Sequence, residues 1–280
     1  MKPVDIAEQL IFTTVRLVAS NGTCGTGYYY NVNCANGSIP VIITNKHVVN
    51  NNPNEEMSFH VHLTSDGESD EGYYEVKYAS HWIFHTKYDL CYTYVGGLFN
   101  KIEMLTGKSV FYTYLDNSLI YTDEQLRELS MMESVVMIGY PNGLWDQKHN
   151  YPIFRYGYTA SHPGYDFNDD EIGLLDIACF PGSSGSPILI LNEGSYRDKT
   201  GGITVGANRV IFLGTLFAGP LYNVDGQIVI KEIPTTHVPT LQSQIMMNLG
   251  YYIKADALRE FDSCIERTQG GFLHSEPSEQ

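Results

Sequence analysis

Residues 14–44 read TVRLVASNGTCGTGYYYNVNCANGSIPVIIT. From Thr14 to Ala19 apolar and polar residues alternate, with Val15 and Leu17 turned to one side, which is the period of a half-buried strand. Asn21-Gly22 supplies the turn chemistry of a tight hairpin. Gly25 to Tyr30 and Ile39 to Thr44 read as two further strands, separated by a Gly/Asn turn over Ala35 to Ser38. Three strands joined by short turns make an antiparallel meander, so the expected fold class is all-β.

The same pattern continues on both sides. Ser58 to Thr64 and Tyr73 to Tyr78 alternate like strands between polar loops at residues 50–54 and 65–71, and Asp89 to Val95 is a strand ahead of Gly96-Gly97. Between Tyr114 and Glu133 the alternation lapses. There Thr122-Asp123-Glu124-Gln125 has the capping-box form ahead of a short helix ending near Ser130. Strands resume at Ser134 to Gly139, Phe154 to Ala160, Gly173 to Ala178, Ser186 to Leu191 and Val210 to Phe217. Asn192 to Asn208 and Leu221 to Gln244 read as long irregular insertions. Ile6, Leu10 and Ile11 fall on one face of a short leading helix, and Leu258, Phe261, Cys264 and Ile265 on one face of a closing one. The expected organisation is a first β unit over 1–115, a linker over 116–132, a second β unit with the C-terminal helix over 133–268, and a polar tail over 269–280.

Composition narrows the function. With 21 Tyr and 12 Phe in 280 residues, 43% hydrophobic and 18% charged, the chain has the balance of a globular protein that favours pleated strands. Seventeen Lys and Arg against 32 Asp and Glu leave a net charge of −15. No basic cluster longer than a pair interrupts that excess, which argues against direct nucleic-acid binding. No apolar run approaches the roughly 20 residues that span a bilayer. The first 20 residues place a Pro, an Asp and a Glu ahead of their apolar positions and lack an export signal's apolar stretch, so the expected location is cytoplasmic. Five cysteines, Cys24, Cys34, Cys91, Cys179 and Cys264, are an odd number without CxxC spacing, as expected of buried, reduced thiols.

Phe180-Pro181-Gly182-Ser183-Ser184-Gly185-Ser186-Pro187 crowds small residues around a serine between two strands. A nucleophilic serine requires such a turn, because Oγ must be presented while the N–H groups of Gly182 and Ser184 converge on a developing oxyanion. Alone, the cluster also suits an ordinary turn. A serine hydroxyl further needs a base, normally an imidazole held by a carboxylate. His47 follows the β-prone run Ile42-Ile43-Thr44-Asn45-Lys46, and Asp89 stands at the mouth of another strand. The order His, Asp, Ser, with a short first gap and a long second one, makes the conjunction informative where each residue alone is not.

With those residues in view, Ile43-Thr44-Asn45-Lys46-His47-Val48-Val49 resembles the histidine motif of the trypsin-like serine proteases, particularly their HtrA-type bacterial branch. Tyr88-Asp89-Leu90 resembles the family's aspartate motif and Gly182-Ser183-Ser184-Gly185-Ser186-Pro187 its nucleophile motif. Gly25-Thr26-Gly27-Tyr28, residues 135–143, Phe212-Leu213-Gly214 and residues 249–253 match in the same order, so the likeness runs over about residues 13–265. The resemblance implies two six-stranded antiparallel barrels with a C-terminal helix and an active site in the cleft between the barrels. It implies Ser184 as nucleophile, His47 as general base, Asp89 as the residue orienting the histidine, and Gly182 and Ser184 N–H groups as oxyanion donors. It also implies a protein or peptide substrate, with no cofactor and no metal.

Several positions depart from the family. Where digestive members carry the acid that pairs with a new N-terminus, this chain has Ser183, and their cleavage motif is missing. The enzyme is therefore expected to be competent as made or switched by loop ordering, with an activating partner protein as one route. The pocket for the residue before the cut is expected to be lined by Ala178, Cys179, Phe180, Phe217, Ala218 and Gly219. Without a buried acid there, small or medium apolar residues are expected to fit. No PDZ-like domain is expected after the catalytic region. Relatives of this stand-alone kind occur in bacterial stress and antiviral defence modules, and the rival reading is a catalytically silent trypsin-like scaffold.

Three weaker signals accompany these motifs. His60 with His62 and His81 with His85 have no HExxH or Cys/His quartet beside them, so packed or exposed histidines are expected rather than zinc ligands. Gly22, Gly25 and Gly27 lack the helix a phosphate loop requires. The acidic run from Asp166 to Glu171 lacks EF-hand spacing and is expected to be a solvated loop.

Overall fold

The computed structural model describes residues 1–34, 37–141, 145–227 and 240–272. A short helix α1 (Ile6–Ile11), capped by the Asp5 carboxylate on Glu8 N–H, leads into a first sheet. Its strands are β1 (Thr14–Ala19), β2 (Cys24–Cys34), β3 (Gly37–Thr44), β4 (Glu56–Thr64), β5 (Tyr74–Ala79), β6 (Ile83–Phe84) and β7 (Cys91–Tyr94), and helix α2 (Gly96–Thr106) follows them. They pair in the order β5-β4-β1-β2-β3-β7-β6. Two short strands, β8 (Ser109–Phe111) and β9 (Leu115–Asp116), attach to β4 and β2. The path is an open half-barrel. The expected turn at Ala35 and Asn36 lies outside the described residues.

A stretch with helix α3 (Asp123–Arg127) crosses to the second sheet. The Thr122 side chain accepts from Gln125 N–H and the Gln125 side chain accepts from Thr122 N–H, both halves of the capping box. Then come β10 (Ser134–Gly139), β11 (Ile153–Thr159), β12 (Ile172–Asp176), β13 (Pro187–Asn192), β14 (Ser195–Arg197), β15 (Ile203–Val205), β16 (Arg209–Ala218), β17 (Leu221–Gln227), β18 (Thr240–Met246) and β19 (Leu249–Lys254). Six of them close into a barrel, β10-β11-β12-β19-β16-β13. Closure leaves the six-stranded barrel itself no free sheet edge. Helix α4 (Arg259–Phe272) ends the described chain. The architecture is the expected all-β, two-barrel, chymotrypsin-like one with a C-terminal helix; the second unit closes with the expected six strands, while the first is a nine-stranded half-barrel.

The two insertions read as irregular are hairpins. β14 pairs with β15 inside residues 192–208, and β17 pairs with β18 from Leu221↔Met246 to Gln227↔Thr240. Residues 228–239, within the second stretch, lie outside the description, as do residues 142–144 of the expected motif match and residues 273–280 of the expected tail.

One core joins the two sheets. Tyr28, Tyr30 and Ile43 of the first unit share a buried cluster with Leu189, Phe212 and Ile253 of the second and with Leu258 and Phe261 of the C-terminal segment. Tyr28 meets the Phe212 ring edge-on at 5.5 Å, and its hydroxyl is 2.8 Å from Thr215 Oγ1. That pairing gives a fully buried phenol the partner it needs. The loops at this seam are consequently held against a rigid base.

Candidate active site

His47 sits in the 3-10 turn Lys46–Val49 directly after β3. Val48 and Val49 are buried, and a side chain on Gly25 would meet Val48 Cγ1 at 2.5 Å, so the turn is pressed against β2. Asp89 lies in the loop between β6 and β7, two residues before β7 begins. Its Oδ2 lies 2.5 Å from His47 Nδ1, and its Oδ1 accepts His47 N–H at 3.2 Å. The buried Asn45 side chain donates to the Asp89 carbonyl at 2.7 Å. A carboxylate on Nδ1 places the ring proton there and leaves Nε2 as the acceptor, which is the tautomer a general base requires.

Two successive turns present Ser184. Ser183 N–H donates to Phe180 O at 3.0 Å, and Ser186 N–H to Ser183 O at 3.1 Å. Gly182 has φ 90° and Gly185 φ 84°. A positive φ at the third position defines both as type II turns, with Pro181 favoured at the second position of the first. In that form the Pro181–Gly182 peptide is turned over relative to a type I turn. Among the described residues, neither Gly182 N–H nor Ser184 N–H donates a backbone hydrogen bond. Ser183 is buried with its hydroxyl unpartnered.

Thr26 of β2 clasps these turns from the other sheet. Its N–H donates to Ser184 O at 2.9 Å, and its hydroxyl donates to Gly182 O at 3.0 Å. That hydroxyl also accepts Tyr140 N–H at 2.9 Å. The Thr26 carbonyl accepts the Thr44 hydroxyl at 2.7 Å, three residues before His47. One residue thus ties the histidine's strand to the serine's loop. The Gly25-Thr26-Gly27 motif flagged this region, but the side chain's partner, 156 residues away, has no signature in the sequence.

Beside Ser184 opens a pocket of about 280 Å³. Cys179, Phe180, Phe217, Ala218 and Gly219 line it, joined by Leu216 and Leu249. Ala178, expected as lining, is not among the residues that form it. Its carbonyl instead accepts Arg155 Nη1 at 3.0 Å, and the guanidinium packs on the Phe180 ring at 4.6 Å. Among the described residues no charged side chain lines the pocket. Burial pushes the Cys179 thiol up to about 11, with Arg155 opposing, so it stays neutral and acts as apolar wall.

The remaining candidates fall outside this site. His60 and His62 are buried on β4, packed by Tyr73 and by Phe12 and Tyr151 respectively. His81 is exposed and contacts Asn54. Among the described residues no group of three or more His, Cys, Asp or Glu side chains converges as metal ligands would. In the acidic loop, Asp166 pairs with Lys254 at 2.6 Å and Asp170 with Lys87 at 3.2 Å. No helix among the described residues is long and apolar enough to cross a membrane.

Fold and site define a two-barrel all-β protein with a histidine–carboxylate pair and a doubly turned serine loop tied to one strand. No protein-family model matches the chain, and no curated protein matches it. Among solved structures, it is similar to the inactive form of the M. tuberculosis protease Rv3671c, at 13% identity over 95% of this chain and 98% of that one, with a TM-score of 0.43. It is similar to a human pathogenic astrovirus serine protease at 12% identity over 87% and 90%, TM-score 0.41. A scabies mite inactivated protease paralogue aligns at 10% identity over 92% and 96%, TM-score 0.47.

Proposed function

We propose that the chain is a trypsin-like serine endopeptidase. The observation that carries this is the pair of N–H groups on Gly182 and Ser184, unengaged among the described residues and flanking the Ser184 hydroxyl, in a chain whose His47 ring is held by Asp89. Ser184 Oγ attacks a peptide carbonyl and its proton passes to His47 Nε2. The carbonyl oxygen, now negative, takes the two N–H groups, and preorganised donors of this kind lower barriers by about 3–4 kcal/mol apiece. As the C–N bond breaks, His47 returns the proton to the leaving amine, and water hydrolyses the acyl-enzyme by the same steps in reverse. Asp89 fixes the ring and stabilises the imidazolium.

The apolar pocket, with Arg155 behind its wall, favours a small or medium apolar residue before the cut and disfavours Lys and Arg. We place the enzyme nearest the HtrA-type branch, as a cytoplasmic regulatory protease of narrow specificity, in a bacterial stress or antiviral defence setting. The protruding β14–β15 hairpin, with Ile203 and Val205 exposed, suits contact with an activating partner. A silent scaffold has no use for two N–H groups left unengaged beside a serine. Cleavage of a diverse peptide library tests the reading. Cuts after small apolar residues by the native chain and none by Ser184→Ala are expected. Cuts that persist in Ser184→Ala, or that follow Lys or Arg, contradict it.

A further inference from the structure

The segment that delivers Asp89 is braced from the far end of the chain. His85 N–H donates to Leu90 O at 2.9 Å, closing residues 85–90 into a loop. Inside it the His85 ring, buried at 4% exposure, makes three hydrogen bonds, and its Nε2 also lies 3.5 Å from Glu260 Oε2. Its Nδ1 accepts Lys87 N–H at 3.1 Å and Tyr88 N–H at 3.0 Å. Its Nε2 lies 3.1 Å from the carbonyl of Ala257, in the turn that leads into α4. Two donors converging on Nδ1 leave only Nε2 to carry the proton, so the ring is the neutral Nε2–H tautomer.

The surroundings reinforce that state. Burial lowers the ring's basicity, with Lys46 adding to the effect, while Glu260 and Glu171 oppose it. Thr86 gives its N–H and hydroxyl to the two Glu260 carboxylate oxygens at 2.9 and 2.6 Å. Tyr88 OH reaches Asp170 at 3.2 Å. The Phe261 ring meets His85 edge-on at 5.4 Å. A phenylalanine here would leave the Lys87 and Tyr88 N–H groups without their acceptor and the Ala257 carbonyl without its donor, so the position calls for an imidazole.

We propose that His85 is a positioning residue of the active site: its Nδ1 sets the turn that holds Asp89 against His47, and its Nε2 ties that turn to the segment leading into α4. The inference rests on the protease reading for its catalytic consequence, although the hydrogen bond between His47 and Asp89 is observable without any activity.

Two variants separate the two jobs, because Asn Oδ1 occupies the place of the imidazole Nδ1 and Gln Nε2 that of the imidazole Nε2. His85→Asn keeps the turn acceptor, and His85→Gln keeps the tie to Ala257. In the full chain, the low-field proton NMR signal of His47 Nδ1–H reports the Asp89 contact, fluorophosphonate labelling reports Ser184 reactivity, and thermal melting reports stability. His85→Asn is expected to retain the signal and label within about threefold of the native rate. His85→Gln is expected to lose the signal and label at least about tenfold more slowly, at a melting temperature no lower than that of His85→Asn. A His85→Gln chain that keeps the signal, or losses that follow the melting temperature in both variants, would overturn the proposal. If the signal behaves as stated but no chain takes the probe, the role of His85 stands and the protease reading fails.

Discussion

The Thr26 hydroxyl donates to the Gly182 carbonyl across 3.0 Å, a bond from a strand of the first sheet to the serine loop of the second. Because the same oxygen accepts Tyr140 N–H, it holds both the serine turn and the end of β10. Thr26→Val preserves shape and removes both bonds, leaving two buried groups unpaired at about 1–3 kcal/mol each. The expected result is lower stability in urea and at least about tenfold slower fluorophosphonate labelling, with Thr26→Ser close to native on both. Native labelling by Thr26→Val would show that the loop keeps its shape without the clasp.

Gly185 and Gly22 form a matched pair. Both have positive φ, 84° and 83°. A Cβ on Gly185 would lie 2.0 Å from the Thr26 carbonyl oxygen, whereas one on Gly22 meets nothing within 4 Å. Gly22→Ala should therefore cost only the conformational penalty of about 1–2 kcal/mol, and Gly185→Ala that penalty plus a backbone clash, for a total of at least about 3 kcal/mol. Urea midpoints measure the difference. Equal losses would mean that the Thr26–Gly185 approach is looser than described.

Acid should destabilise the fold through His60 and His62. Burial holds both down to about 4, with Arg16 adding to the effect at His60 and Glu75 opposing it. As pH falls through 6.5 the unfolded chain takes up these protons while the folded one does not, so stability is progressively lost from about pH 6.5 to 4. Asp262, raised to about 6 by burial, acts oppositely: the folded chain keeps a proton that the unfolded chain releases, so this group favours folding as pH falls. Two histidines outweigh one acid. His62→Phe, among the rings of Phe12 and Tyr151, should flatten the decline in melting temperature over that window. An unchanged slope would exclude His62 as a source.

Much of this fold is legible in local pattern. β1 and β10 have the bounds their alternation predicts, and Thr122 makes the capping box its spacing announces. Helix α2 went unread because it opens on Gly96-Gly97, normally a break, and has no side-chain cap. Only Leu98 and Ile102, one turn apart and buried, mark its face. The strand expected from Asp89 begins at Cys91, since the loop closed by His85 and Leu90 takes the residues before it. At the site, His47 and Asp89 were readable as motif residues and do meet. The parts played by Thr26 and His85 were not readable, because each depends on a partner more than 150 residues away. Ala178 stands outside the pocket lining, and its carbonyl is taken by the Arg155 side chain of β11, a contact that local pattern does not mark.

The most direct test of the central claim is mass-spectrometric localisation of a fluorophosphonate adduct on the full chain. The account predicts one adduct, on Ser184, absent from Ser184→Ala and formed at least about a thousandfold more slowly in His47→Ala. An adduct on another residue, equal labelling of Ser184→Ala, or no adduct on the native chain would contradict it.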